Sequence, residues 1–107
     1  MVNIDSFRSM ALSFLGALEV PHFDKAAFRT KKRIFATLDV ARHTACLKLT
    51  PVQQSVFSLV DPTIIYPVDN KWGQQGWTII ELKKIKKNLL KDALSKAYEA
   101  SLPGDKK

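Results

Sequence analysis

The spacing of apolar residues changes from a helical period to a period of two near Glu19, and this change limits the chain to folds that combine helices with a sheet. Asn3 or Asp5 can cap the start of the first predicted helix, and Gly16 is a stop signal. Apolar residues recur at steps of three and four on one face of this helix: Ile4, Phe7, Ala11, Phe14, Leu15 and Leu18.

Alternation of apolar and polar residues then predicts four short strands. They span residues 20–23, 26–30, 33–38 and 44–49. Short connections between the first three strands predict antiparallel hairpins. Pro21 places the first strand at a sheet edge, because proline has no N–H to donate to a neighbouring strand.

The same alternation predicts which face of the sheet each side chain occupies. Ile34, Ala36 and Leu38 are predicted to share one face. Three residues are predicted to lie on the face that the helices leave uncovered: Phe35, Cys46 and Thr78.

A second helix is predicted directly after the fourth strand. Thr50 caps it, Pro51 suits the first helical position, and Gln53 can close a capping box. The helix extends to about Val60, and Asp61-Pro62 ends it. Four of its apolar residues are predicted to point inward: Val52, Val56, Phe57 and Val60.

Two further strands and a final helix complete the predicted order. The strands span residues 64–68 and 76–82 with a loop at 70–75 between them, and the helix takes most of residues 87–101 before Pro103-Gly104 ends it. The order α-β4-α-β2-α predicts an α+β fold with a single antiparallel sheet of about five to six strands. We expect the helices mainly on one face, because each outer helix has a wide apolar stripe to bury.

The length of 107 residues predicts a single domain over residues 1–107. One cysteine excludes an internal disulfide framework. No apolar run approaches the roughly 20 residues of a membrane span, and residues 1–5 lack the basic and apolar segments of a signal peptide. We therefore expect a cytoplasmic domain with no membrane partner.

Three stretches of the chain resemble one protein family. They are Glu-Val-Pro-His-Phe at 19–23 leading to Ala-Phe-Arg at 27–29, residues 33–38, and residues 70–78. The last stretch is the most specific, since two tryptophans framed by two glycines rarely arise by chance. Together with Leu89-Leu90 and Ala97-Tyr98, these stretches make the chain similar to the MmcQ/YjbR family of small bacterial proteins from about residue 11 to residue 103.

This resemblance implies both a fold and a class of function. The implied fold is similar to that of frataxin and CyaY, an antiparallel sheet with helices packed on one side. The implied function is DNA binding through a "double-wing" motif. The resemblance implies no reaction, substrate or catalytic residue.

Basic residues are the first candidates for function. The chain has 17 lysines and arginines against 10 acidic residues, a net charge of +7. Such a surplus predicts contact with phosphates, or simply a solvated surface. We define two groups, a hairpin-tip cluster of Arg29, Lys31, Lys32 and Arg33, and a helix-start cluster of Lys83, Lys84, Lys86 and Lys87. Binding through them would be largely independent of sequence and would weaken steeply with salt.

The helix-start cluster also predicts a site for a small anion. Lys86 would interrupt the apolar arc of the final helix, so the helix is predicted to begin just after it. Unpaired backbone amides beside four lysines would then favour a phosphate or a carboxylate. The simpler alternative is that these lysines point into water.

Lys71 and Trp72 are further candidates. Trp72 lies next to Lys71 in the predicted loop and could stack on a base, as aromatic side chains do in proteins that bind single strands. The alternative is that Trp72 and Trp77 are scaffold. In that case the neighbouring glycines permit a tight turn while the indoles cover the end of the core.

The sequence offers little support for catalysis or metal binding. His22 and His43 have no ligand partners at suitable spacing except Asp24, and Cys46 has no adjacent base. We therefore predict a non-enzymatic module, without cofactor or metal, that binds DNA through its basic clusters. The alternative is a protein- or small-anion-binding module with no nucleic-acid role, which would use the uncovered sheet face and Trp72.

Overall fold

The computed structural model describes residues 1–31 and 33–102, so Lys32 of the hairpin-tip cluster and the predicted stop at Pro103-Gly104 lie outside the described residues. The helices of the described part are α1 (Ile4–Leu12), α2 (Pro51–Val60), α3 (Lys71–Gln74) and α4 (Lys87–Ser101). Its strands are β1 (Leu18–His22), β2 (Lys25–Arg29), β3 (Ile34–Asp39), β4 (Thr44–Lys48), β5 (Ile65–Pro67) and β6 (Trp77–Glu81).

The six strands form one antiparallel sheet in the order β1-β2-β3-β4-β6-β5. One row across the sheet is fully buried, and it consists of Leu38, Ala45, Ile80 and Ile65. The next row, on the opposite face, is only half-buried, and it consists of Thr37, Cys46, Ile79 and Tyr66. This confirms the predicted α+β fold with helices mainly on one face. We call the other side the open face.

Aromatic contacts fix the outer helices on the covered face. Phe7 of α1 packs edge-on against Phe28, with ring centroids 5.5 Å apart. Tyr98 of α4 stacks on Phe14 at 4.6 Å and meets Phe35 edge-on at 5.7 Å. These pairs join the N-terminal and C-terminal segments over the middle of the sheet, where burying aromatic surface contributes most to packing.

The first helix is shorter than predicted. It ends at Leu12, where the Ser13 hydroxyl donates to the carbonyl of Met10 and competes with the next helical turn. Phe14 still reaches the core, but Leu15 is 89% exposed and Leu18 belongs to β1. The predicted inward face was therefore wrong for Leu15 and Leu18, because the chain has already left the helix there.

The start and end of α2 match the prediction, but its orientation does not. Thr50 and Gln53 form the expected capping box. Phe57 is buried, as predicted. The other three residues predicted to point inward are exposed, and they are Val52, Val56 and Val60. Leu59 is exposed as well. Gln54 occupies the buried side instead, where its amide donates to the carbonyls of Gly73 and Trp77.

A β-bulge changes the predicted facing of β3. Phe28 pairs with Ala36 while Arg29 pairs with Ile34, so Phe35 is an extra residue in β3. Phe35 turns to the covered face and is fully buried, and Ile34 lies on the open face. Thr78 is also buried on the covered side. The prediction for the open face was therefore right for Cys46 and wrong for Phe35 and Thr78. The prediction that Ile34 shares a face with Ala36 and Leu38 was also wrong, because the bulge lies between them.

The predicted loop at 70–75 contains the short helix α3. The Asn70 side chain accepts a hydrogen bond from the Trp72 amide at 2.8 Å and starts this short helix.

The final helix begins at Lys87 and ends at Ser101, as predicted. In the described part of the chain, no helix combines the length and apolar character needed to cross a membrane.

Candidate ligand-binding face

The open face carries a broad depression of about 700 Å³ that is open to solvent. We call it the concavity. Its floor is formed by β3, β4 and β6 through four side chains: Ile34, Thr37, Cys46 and Ile79. The β1–β2 turn borders it on one side, and α3 with the start of β6 borders it on the other. The floor is largely apolar, and polar or charged side chains line much of the border, among them His22, Asp24, Lys25, Asp39 and Arg42. A concavity that combines apolar surface with polar groups can hold a small ligand.

Cys46 lies at the centre of this floor. Burial raises the pKa of its thiol to about 11, against weaker lowering effects from a backbone hydrogen bond to Thr78 and from the charge of Lys25. The thiol is therefore protonated at neutral pH. A protonated thiol is a small, weakly polar surface group and a weaker nucleophile than a thiolate.

Two glycines hold α3 in the position from which Trp72 borders the concavity. A Cβ on Gly73 would collide with the carbonyl group of Val68, and one on Gly76 would collide with that of Leu49. Gly76 also has a φ of +107°, a conformation that other residues rarely adopt. Gly73 and Gly76 therefore have a structural role.

Gln54 of α2 ties this segment to the covered side of the sheet. Its Nε2 donates to the carbonyls of Gly73 at 2.9 Å and Trp77 at 3.1 Å, and lies 3.1 Å from the Thr78 hydroxyl oxygen. Both carbonyls also accept a backbone hydrogen bond, from the amides of Gly76 and Val68, so they give the buried Gln54 amide the partners that it needs. Gln54 thereby fixes the backbone on which both tryptophans are carried.

The tryptophans themselves remain accessible. Trp72 is 50% exposed, and the Lys71 ammonium lies 5.9 Å from the centroid of its ring. Trp77 is half-buried and pairs across the sheet with Lys48. Each indole of this wall therefore has a lysine beside it, which combines a stacking surface with positive charge.

The opposite wall is the two-residue turn between β1 and β2. Phe23 at its tip is 95% exposed, and its ring meets that of His22 edge-on at 4.9 Å. Charged groups along the rim pair locally. Lys25 lies 3.5 Å from Asp24, and Arg42 lies 3.9 Å from Asp39.

A second, smaller groove of about 490 Å³ adjoins the open face at the hairpin-tip end of the sheet. Arg33 and Lys48 supply its charge, and Trp77 lines both this groove and the concavity. The Arg29 side chain folds over the turn that follows it, and its guanidinium donates to the carbonyls of Thr30 and Lys31 at 3.1 and 3.4 Å. Positive charge therefore continues from the open face toward the hairpin tip.

The described residues of the two predicted basic clusters lie at opposite ends of α4. The hairpin-tip cluster adjoins its C-terminus, since the Thr30 hydroxyl donates to the Ser101 carbonyl at 3.1 Å. The helix-start cluster precedes its N-terminus at Lys87. At about 1.5 Å per residue, α4 separates them by about 21 Å. The structure therefore does not bring them together into one compact patch.

The described residues of the helix-start cluster are Lys83, Lys84, Lys86 and Lys87, and all four are exposed. Lys86 is the N-cap of α4 and makes no side-chain capping bond. Hydrogen bonds from Thr63 lower the pKa of the Asp61 carboxyl, which follows the end of α2. The charge of Lys84 adds a smaller lowering effect. The small-anion site at this helix start stays a prediction.

The two histidines occupy separate places. His22 borders the open face, whereas the Nε2 atom of His43 lies 3.1 Å from the Val2 carbonyl oxygen. Within residues 1–31 and 33–102, no group of three or more His, Cys, Asp or Glu side chains is placed to hold a metal ion.

Phe23 and Gln54 are site residues that sequence reasoning missed. Phe23 was predicted to end the first strand before a turn at residues 24–25, whereas the structure ends β1 at His22 and puts Phe23 and Asp24 in the turn. Gln54 gave no signal of its role, because a glutamine among valines in a helix is typical of a solvent-facing position.

Comparison with known proteins identifies the family. The YjbR family model matches residues 12–100, so the chain belongs to the YjbR family. No curated protein matches the chain.

Two solved structures share the fold. The Deinococcus radiodurans protein DR2400, a DUF419 domain, is 23% identical with a TM-score of 0.77, over 91% of this chain and 76% of that one. A Pseudomonas syringae protein solved as structural-genomics target PsR293 is 16% identical with a TM-score of 0.71, over 94% of this chain and 100% of that one. At these identities the likeness concerns the fold alone.

Proposed function

We propose that this YjbR domain is a non-enzymatic module that binds unpaired nucleotides of DNA on its open face. The observation that carries the proposal is Trp72, half-exposed at the border of a concavity with a largely apolar floor and next to Lys71. An exposed indole loses favourable burial unless a ligand covers it. Stacking on a base recovers that burial, and a neighbouring ammonium contributes attraction to the phosphate.

Single-stranded DNA fits this surface better than duplex DNA does. A base can stack on Trp72 only when it is not already stacked in a helix. The floor of the concavity is apolar, whereas duplex backbone offers mainly charged phosphates. The helix-start cluster lies about 21 Å from the hairpin tip along α4, at 1.5 Å per residue, so it supplies little of the charge near the tryptophans.

A non-enzymatic role is consistent with the groups on the open face. The raised pKa of the Cys46 thiol leaves it protonated, and the carboxylates of Asp24 and Asp39 are paired with Lys25 and Arg42. These features give no support to a nucleophile or a general base among these groups. Binding alone is therefore the activity that we propose.

Tryptophan fluorescence during titration with a short oligo-dT tests this proposal. We expect quenching for the natural chain, and we expect Trp72→Ala to weaken binding by about 5- to 150-fold, the equivalent of about 1–3 kcal/mol for one stacked base. Trp72→Phe keeps an aromatic face and should retain most of the affinity. Undiminished binding by Trp72→Ala, or no binding by the natural chain, would refute the proposal.

Two charge-matched double variants separate the open face from the helix-start cluster. Lys48→Gln/Lys71→Gln and Lys83→Gln/Lys84→Gln remove the same charge at different places. We expect the first to weaken binding and to reduce its salt dependence, and the second to do much less. A larger effect of the second variant would place the nucleic-acid contact at the start of α4.

A DNA strand and a free nucleotide both carry a base and a phosphate, so either could bind at this face. Parallel titrations with oligo-dT and with thymidine monophosphate distinguish them. Because neighbouring nucleotides would add phosphate contacts along Lys48 and Arg33, the strand should bind more tightly than the monomer. Equal affinity would favour the small-anion alternative for the same concavity.

A further inference from the structure

We propose that the smaller groove beside the open face is a second subsite, which holds the nucleotide that follows the one stacked on Trp72. This inference rests on the proposed function and deepens it, because it makes a strand of at least two nucleotides the ligand. The phosphate of the stacked nucleotide lies beside Lys71, and the phosphate of the next nucleotide lies in the groove between Lys48 and Arg33.

The groove and the concavity form one continuous surface. Ile34 and Trp77 line both of them. Trp72 and Trp77 lie at the two ends of one short segment, and Gln54 fixes the backbone of that segment through the carbonyls of Gly73 and Trp77. A strand that leaves Trp72 can therefore cross Trp77 and enter the groove without leaving the surface of the protein.

Three neighbouring strands bring the polar and aromatic side chains of the groove to one end of the sheet. Arg33 directly precedes β3, Lys48 ends β4, and Trp77 begins β6, where it pairs with Lys48. The three strands are adjacent and antiparallel, so at about 4.8 Å per strand these positions span about 10 Å. One strand of duplex DNA rises about 3.4 Å per nucleotide, so this span corresponds to about two to three nucleotides.

Unpaired charge distinguishes the groove from the rim of the concavity. On the rim, the cations Lys25 and Arg42 each lie beside an aspartate. Among the residues that the structure describes, no acidic side chain lines the groove, and neither Arg33 nor Lys48 forms a salt bridge. A phosphate is therefore attracted to the groove more strongly than to the rim.

The end of α4 determines which side of the groove the phosphate occupies. Ala97, Ala100 and Ser101 of this helix line the groove, and the carbonyls at a helix C-terminus repel anions. The Ser101 carbonyl accepts a hydrogen bond from Thr30, which offsets part of this repulsion. The phosphate therefore belongs on the strand side, while the small alanine side chains leave room for the sugar.

A side chain that fills the groove without entering the concavity tests this inference. Ala100 is exposed and lines the groove but not the concavity. We expect Ala100→Phe to weaken binding of a thymidine trinucleotide by about 10- to 100-fold, as expected for the loss of one charge-assisted contact. Binding of thymidine monophosphate should not change. Tryptophan fluorescence follows both titrations, since the new side chain adds no indole.

Ser55→Phe is the matched control for this variant. Ser55 is exposed on α2 and lines neither the groove nor the concavity, so the change should alter neither affinity. Arg33→Gln is a second test that leaves the shape of α4 intact. It should weaken binding of the trinucleotide and reduce the slope of log affinity against log salt by about 0.7, the value for one phosphate contact on a single strand.

The outcomes separate the second subsite from the proposed function. If Ala100→Phe and Arg33→Gln both bind the trinucleotide as tightly as the natural chain while Trp72→Ala does not, the second subsite is refuted and the proposed function stands. If Ala100→Phe weakens the monophosphate as much as the trinucleotide, the second subsite is also refuted, because the groove then belongs to the first nucleotide. If the natural chain binds neither ligand, both proposals are refuted.

Discussion

At the scale of single residues, the position of Trp72 depends on backbone contacts that only glycine permits. Gly73 lets α3 approach the Val68 carbonyl, and Gly76 lets the chain turn beside Leu49 into β6. Neither glycine touches the concavity, yet both decide where its tryptophan wall stands. The tryptophans and the glycines of the motif therefore have different roles, surface for the former and backbone geometry for the latter.

Replacing Gly76 tests this division. Gly76→Ala would place a Cβ against the Leu49 carbonyl and force an L residue to φ +107°. We expect a loss of about 2–5 kcal/mol in the free energy of unfolding, from overpacking and backbone strain together. Urea denaturation measures it.

Gly16→Ala is the control for that measurement. Gly16 has a φ of +80°, but nothing lies within 4 Å of the Cβ that would be added. Only the backbone strain remains, so the loss should be about 1 kcal/mol. Equal losses for the two variants would mean that the close approach to Leu49 contributes nothing.

At the scale of elements, α2 shows where sequence patterns succeed and where they fail. The local signals at its ends were sufficient, since the Thr50–Gln53 capping box and Pro51 begin the helix at the predicted residue. Its orientation could not be predicted, because the buried amide of Gln54 finds its acceptors in the carbonyls of Gly73 and Trp77, which lie about twenty residues further along the chain. The spacing of apolar residues in a helix gives no information about hydrogen-bond partners that lie far away along the chain.

The same limit explains the errors in facing on β3. Strict alternation predicts the side of each residue only while the register is regular. The bulge at Phe35 shifts the register by one residue, and Thr78 is polar but buried through its hydrogen bonds to Gln54 and Gly76. Element boundaries were predicted within a few residues, whereas the composition of the open face was predicted only at Cys46.

Alanine substitutions on the two sides of α2 test its observed orientation. Phe57 is 7% exposed, so Phe57→Ala should lower the free energy of unfolding by about 3–5 kcal/mol. Val56 is 57% exposed, so Val56→Ala should change it by at most about 0.5 kcal/mol. Denaturant titration of both variants measures the difference. A loss at Val56 as large as that at Phe57 would show that α2 is turned the other way.

At the scale of the whole molecule, the arrangement of charge matters more than its amount. The net charge of +7 and the family resemblance were evident from sequence, but the distance between the basic clusters was not. That distance follows from α4, which runs from the helix-start cluster to the turn that holds the hairpin-tip cluster. Folding leaves a concave, aromatic-bordered sheet face beside the hairpin tip, and the helix-start cluster stands at the other end of α4.

Backbone amide chemical shifts during titration of the labelled protein with oligo-dT test the central claim most directly. Binding on the open face predicts the largest changes at floor and wall residues: Phe23, Thr37, Cys46, Trp72 and Ile79. Amides of Lys83 to Lys87 should move little. Changes confined to the start of α4, or no change at any of the open-face amides, would contradict the claim that this face holds unpaired nucleotides.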